Sequence, residues 1–216
     1  MAGAGRIDCP LGGALVLGIG NVLWADEGFG VRAVEALHAA YQLPGTVELL
    51  DGGTQGMNLL EPVVSHGAVL VFDAIDFGLA PGELRVLRGR EVPAWAGTKM
   101  SLHQQSFQEL LAIADLQGRF PPKLTLIGVQ PLRLADFGGS LSGCVRQRLP
   151  LAVELAALEL SGWGFPAVPR EGVAAERLNA EALALPAYES GRPAESEACR
   201  IGDARFLNRR RELESR

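Results

Sequence analysis

The sequence is short of cysteine, of aromatic residues, of long apolar runs and of excess positive charge. Only three cysteines occur in 216 residues, Cys9, Cys144 and Cys199. They are widely spaced, odd in number and form no C-x-x-C pair, which argues against a disulfide framework and a thiolate zinc centre. Unpaired thiols suit a reducing compartment, so the cytoplasm is the expected location. No run of about 18 apolar residues occurs, and no membrane insertion is expected. Leu11–Trp24 has some character of a secretory leader, but only Arg6 precedes it as positive charge, and Gly18, Gly20 and Asn21 interrupt it. Twenty Lys and Arg oppose 25 Asp and Glu, a net charge of −5. That balance weighs against a protein that tracks a phosphate backbone, so no nucleic-acid partner is expected. A G-x-S-x-G nucleophile elbow and an H-E-x-x-H helix are both missing, which disfavours a serine hydrolase and an ordinary zinc protease.

What is present divides unevenly. Between Arg170 and Arg216 lie nine arginines and nine acidic residues, which cancel, so the whole −5 belongs to the first 169 residues. This shift, with fading periodicity, marks three parts: an N-terminal extension at 1–13, a domain at 14–170, and a charged extension at 171–216, read as mobile or partly helical. A chain of this length can bury roughly 70% of its unfolded surface and needs no staple.

Within the domain, short apolar runs alternate with helical patterns. Ala14–Ile19, Val47–Leu50, Ala68–Phe72 and Lys123–Val129 read as strands, and Glu83–Leu87 as a strand at the sheet's edge. Gly28–Tyr41, Gly56–Val64, the stretch from about Ser101 to Leu116, and one long segment, Gly143–Leu160, read as helices. Alternation of this kind implies an α/β fold: a three-layer α/β/α sandwich around a mostly parallel, twisted sheet of about five strands. Ligands of such sheets lie outside the carboxyl ends of the strands.

Four polar residues meet that rule. Glu27 follows the first strand, Asp51 ends the second, Asp73 ends the third, and His103 sits in the loop leading into the helix after the edge strand. Each also fits a local role. Asp26 and Glu27 suit a helix N-terminus, Asp51 suits a turn before Gly52-Gly53, and His103 is a neighbour of a possible Ser101 cap. Together, two carboxylates and an imidazole make an oxygen and nitrogen ligand set with open positions, suited to zinc, nickel, iron or manganese. Gly18-Ile19-Gly20 fails as a dinucleotide fingerprint, because Leu23 stands at the third glycine and an acidic pair opens the helix. The two glycines are read instead as a tight turn that delivers Glu27 to the sheet edge.

Four ordered blocks resemble the nickel-iron hydrogenase maturation endopeptidases: Leu17-Gly18-Ile19-Gly20-Asn21-Val22-Leu23 with Asp26-Glu27-Gly28-Phe29-Gly30-Val31, then Leu50-Asp51-Gly52-Gly53-Thr54-Gln55-Gly56, Phe72-Asp73-Ala74, and Ser101-Leu102-His103-Gln104. Lys123–Pro131 and Asp136–Leu141 look like the branch serving membrane-bound uptake hydrogenases. The similarity spans about Ala14 to Arg170. The resemblance implies a peptidase that removes a C-terminal extension from the [NiFe] hydrogenase large-subunit precursor after nickel insertion. It implies that Glu27, Asp73 and His103 bind metal, recognising nickel presented by the precursor, and that Asp51 is a further polar candidate near the site. An organic cofactor is not expected, and the free protein is expected to be a monomer. Two alternatives remain at this stage: a nickel checkpoint or chaperone that cuts nothing, and a metal-independent carboxylate peptidase of the same fold.

Overall fold

The three innermost strands owe their position to sequence runs that carry almost no charge. Ala14–Ile19 (β1), Ala68–Ala74 (β4) and Lys123–Val129 (β6) are buried along nearly their whole lengths, as strands covered on both faces must be. Val47–Gly53 (β3) and Leu84–Arg88 (β5) are partly exposed and occupy the two edges. The computed structural model describes residues 12–94, 102–134, 136–171 and 176–192, with 102–104 described as backbone only. The sheet order is β3-β1-β4-β6-β5; the first four strands are parallel and β5 runs antiparallel to β6. A two-residue ladder, Tyr41–Gln42 (β2) with Val168–Pro169 (β7), which the sequence reading did not anticipate, ties the end of the first helix to the chain after the last long one.

The helices are Phe29–Ala40 (α1), Leu60–Val64 (α2), Glu91–Ala94 (α3), Leu102–Leu116 (α4), Gly143–Arg146 (α5), Leu149–Gly162 (α6) and Leu185–Gly191 (α7). The single helix expected over Gly143–Leu160 is two, broken at residues 147–148. Pro150 has no backbone N–H and is tolerated only in a first helical turn, so the helix restarts just before it.

Alternation along the strands separates two apolar layers. Ala14, Val16, Ala68, Leu70 and Phe72 face α1 and α6, whereas Leu15, Leu17, Ile19, Val69 and Val71 face α2 and α4. Phe29, the first residue of α1, is fully buried; burying such a side chain contributes roughly 1.5–3 kcal/mol and anchors the helix start at the sheet. Gly30 makes the approach possible, since a Cβ there would lie 2.2 Å from the Ile19 carbonyl oxygen and 2.3 Å from that of Phe72. Among the described residues, no helix is long and apolar enough to cross a membrane.

Within the 171–216 extension, residues 176–192 contain a 3-10 turn, Glu181–Leu183, followed by α7. Tyr188 donates its hydroxyl hydrogen to the Gly139 carbonyl at 3.1 Å. Arg146 pairs with Glu189, whose carboxylate also accepts from the Ser140 hydroxyl. Residues 193–216 lie outside the described residues, as do Cys9 and Cys199.

Candidate active site

The chain leaves β1 toward β3 and returns from β3 across β1 to β4, so β1 and β4 flank the switch point of the sheet. A crevice outside their carboxyl ends is the general ligand position of such folds. A 3-10 turn, Ala25–Gly28, follows β1 and packs against β4. It brings half-buried Glu27 to this crevice. Gly20, with φ of +130°, sits directly on the turn: a Cβ there would lie 1.8 Å from the Glu27 carbonyl oxygen. Of the two glycines read as a tight turn, Gly20 does close against the Glu27 turn, whereas Gly18 lies within β1 and makes room for α1, a Cβ there falling 2.5 Å from the Gly30 carbonyl oxygen.

Asp73 is the penultimate residue of β4, only 3% exposed, and one carboxylate oxygen accepts the Ala74 N–H at 2.8 Å. By strand parity it shares the face of Val69 and Val71, the face covered by α4. His103 lies in the first turn of α4 rather than in a loop before it, and its side chain is outside the described residues. One turn further on, Ser106 lies 3.3 Å from the position of a Cβ on Gly56, just beyond the carboxyl end of β3. The start of α4 therefore lies at the carboxyl edge, on the Asp73 face. Among the described residues, no three His, Cys, Asp or Glu side chains form a metal-binding group.

Asp51 takes a different direction. It ends the run Val47, Leu49, Asp51 on the α1 face, opposite Asp73. Its carboxylate accepts a hydrogen bond from the Asn179 amide at 2.8 Å. Burial pushes its carboxyl up from the ordinary aspartate value, and Glu35 adds to this. The bonds from Asn179 and the Gly53 N–H, and the charge of Arg32, pull the other way.

Other polar residues shape the site without having stood out in the sequence. Asp26 is fully buried and gathers the backbone N–H groups of Leu132, Arg133 and Ser142. Gln130, buried after β6, accepts N–H bonds from Phe77 and Leu79 at 2.8 and 3.1 Å and donates to Asp76 at 3.0 Å. It thereby ties down the loop that follows Asp73. The rim is apolar: Trp24 and Phe137 are exposed and meet edge to face with ring centroids 5.4 Å apart.

Comparison with known proteins gives concordant matches. Residues 31–159 match the family described as hydrogenase maturation protease. The chain is 54% identical over 194 residues to the hydrogenase expression/formation protein HupM of Azotobacter chroococcum mcd 1, covering 89% of this chain and 92% of that one. It is 43% identical over 160 residues to the hydrogenase 2 maturation protease of Escherichia coli, covering 74% and 97%. The solved structure of the hydrogenase maturating endopeptidase HybD from Escherichia coli aligns with a TM-score of 0.70 at 42% identity, covering 73% of this chain and 98% of that one.

Proposed function

The chain belongs to the hydrogenase maturation protease family, in its uptake-type branch, and from that premise we propose that it removes the C-terminal extension of a [NiFe] hydrogenase large-subunit precursor once nickel has been inserted. The nickel is part of the substrate. Glu27 and Asp73 at the switch-point crevice, with His103 on the first turn of α4, supply oxygen and nitrogen donors of the kind nickel accepts, and leave positions for ligands that stay with the precursor. A metal held between the two proteins supplies positioning of the scissile bond and polarisation of its carbonyl. A carboxylate that grips the metal is not at the same time the general base, so Glu27 and Asp73 cannot both ligate tightly and activate water. The exposed Trp24–Phe137 pair beside Glu27 gives a protein substrate an apolar surface to rest on. The free Cys144 thiol fits action in the cytoplasm.

The observation that carries this reading is the placement of Asp73, a buried carboxylate at the end of an inner strand, beside the turn that bears Glu27. The test is incubation of purified protein with nickel-loaded and nickel-free precursor, read by mass spectrometry. Mass is lost from the C-terminus of the loaded precursor only. Asp73→Asn and His103→Ala stay folded and lose at least about 100-fold in processing rate. Cleavage of nickel-free precursor, or normal processing by both variants, refutes the proposal; loaded precursor that binds uncut points to a checkpoint role instead.

A further inference from the structure

We propose that the α1 face carries a peptide-binding cleft, filled in cis by residues 176–192 and in trans by a peptide segment of the precursor. The identity of the trans peptide rests on the function proposed above; the cleft itself rests on four observations.

First, Arg32 of α1 is 3% exposed, and its guanidinium is only partly satisfied. Nη1 donates to Glu35 at 2.9 Å and to the Leu183 carbonyl, and the group lies 5.7 Å from the centre of the Tyr188 ring. Among the described residues, Nη2 is buried with no hydrogen-bond partner. Buried donors are normally paired, so the cis segment is an incomplete occupant. Second, the Asn179 amide bridges two carboxylates, donating to Glu35 at 2.9 Å and to Asp51 at 2.8 Å. Third, a cavity of about 470 Å³ remains between α1 and this segment, lined by apolar Ala36, Leu149 and Leu185 and by charged Arg32, Glu35 and Arg177. That volume is within the range of small-ligand pockets. Fourth, the matched length differs among relatives. The Escherichia coli protease is matched over 160 residues, already 97% of its length, whereas HupM is matched over 194. The longer match belongs to the longer chain.

The chemistry selects the ligand class. With residues 176–192 away, Arg32 and Arg146, the latter released from Glu189, stand against Glu35 and Asp51, so the charges balance and the cleft suits neutral polar groups: a carboxamide to bridge the carboxylates, and carbonyl oxygens to meet the guanidinium. Leu178, Asn179 and the Leu183 carbonyl show the pattern in cis, an apolar residue on the core, then an amide, then a carbonyl. A trans peptide that repeats this pattern and adds one carbonyl satisfies Nη2 as well. Entry requires the cis segment to leave.

Hydrogen exchange read by mass spectrometry on the full chain, with and without nickel-loaded precursor, tests the inference, and cleavage is followed in parallel. Amides of residues 176–192 are expected to exchange at least about tenfold faster with precursor present, while those of α1 slow. Unchanged or increased protection of 176–192 overturns the cleft, whether or not the precursor is cut. Cleavage itself bears only on the proposed function. Faster exchange that follows protein concentration without precursor assigns the cleft to a second copy and overturns the precursor as occupant. Asn179→Ala removes the bridging amide and is expected to lower KM for the precursor by about tenfold; an unchanged or higher KM counts against competition between the cis and trans segments.

Discussion

Replacing Asp26 by alanine is expected to cost about 3–5 kcal/mol of stability, the scale of orphaning several buried donors at about 1–3 kcal/mol each with partial relaxation. The figure follows from the contacts. Oδ2 accepts the N–H groups of Leu132 and Arg133, each at 2.9 Å, and the Ser142 hydroxyl at 3.0 Å, while Oδ1 accepts the Ser142 N–H at 2.7 Å. A hydrogen bond to a charged acceptor contributes about 1.5–3 kcal/mol, and each buried donor left unpaired costs about 1–3 kcal/mol. Adding all four overstates the loss, because the donors share one loop system and water can enter the space. At about 2–4 °C per kcal/mol for a chain of this size, Tm falls by roughly 6–20 °C. Asp26→Asn keeps the shape and one acceptor but turns an NH2 toward a donor, so its loss falls between alanine and wild type. Urea unfolding of the three proteins, followed by circular dichroism and compared at equal m, gives the ranking. A loss below about 1 kcal/mol for alanine, against the 1–3 kcal/mol of even one orphaned donor, refutes the reasoning. So does an asparagine variant as stable as wild type.

Two further outcomes follow from the same geometry. Gly20→Ala places a methyl where the Glu27 carbonyl already lies, 1.8 Å away and at φ of +130°, and is expected to cost about 3 kcal/mol or more; a thermal melt matching wild type would show that the turn is closed differently. Asp51 has a raised carboxyl, so between its unfolded and folded pKa values the folded state binds more protons. The stability this gives is present below the unfolded pKa, about 3.9, and is lost as pH rises through the folded one. Wild type should therefore lose stability relative to Asp51→Asn as pH rises through that window, and a difference that is flat or grows in the opposite sense contradicts the assignment.

The strands and their order of appearance were legible because each is a short apolar run bounded by turn residues. The edge strand was legible because Pro81-Gly82 turns the chain into it. The four candidate residues were legible as polar groups at run ends. What the sequence could not reveal was which side of the sheet each one faces. Asp51 and Asp73 both lie near the carboxyl ends of strands, yet parity sends them to opposite faces, and parity has meaning only once the register between β1, β3 and β4 is known. Asp26 looked like a helix-start acid because its partners lie more than 100 residues away. The bond from Asn179 to Asp51 spans 128 residues, and no local pattern announces such a pairing. The helix break before Pro150 was within reach of proline chemistry alone.

The strand order also has a consequence for synthesis. β4 and β5 are both made before β6, which must then lie between them. Forty-eight residues lie between Ala74 and Lys123, about 2–10 s of translation at ordinary ribosomal rates. Throughout that interval one edge of β4 is open on the nascent chain, and β5 is the nearest strand that could take the place wrongly. Its own charges argue against it. The slot is buried along nearly all of β6, and β5 would carry Arg85 and Arg88 into it. On the rim the same residues have partners, Arg85 over the Phe77 ring and Arg88 on Glu159. Two arginines on the earlier strand thus hold a place open for the later one.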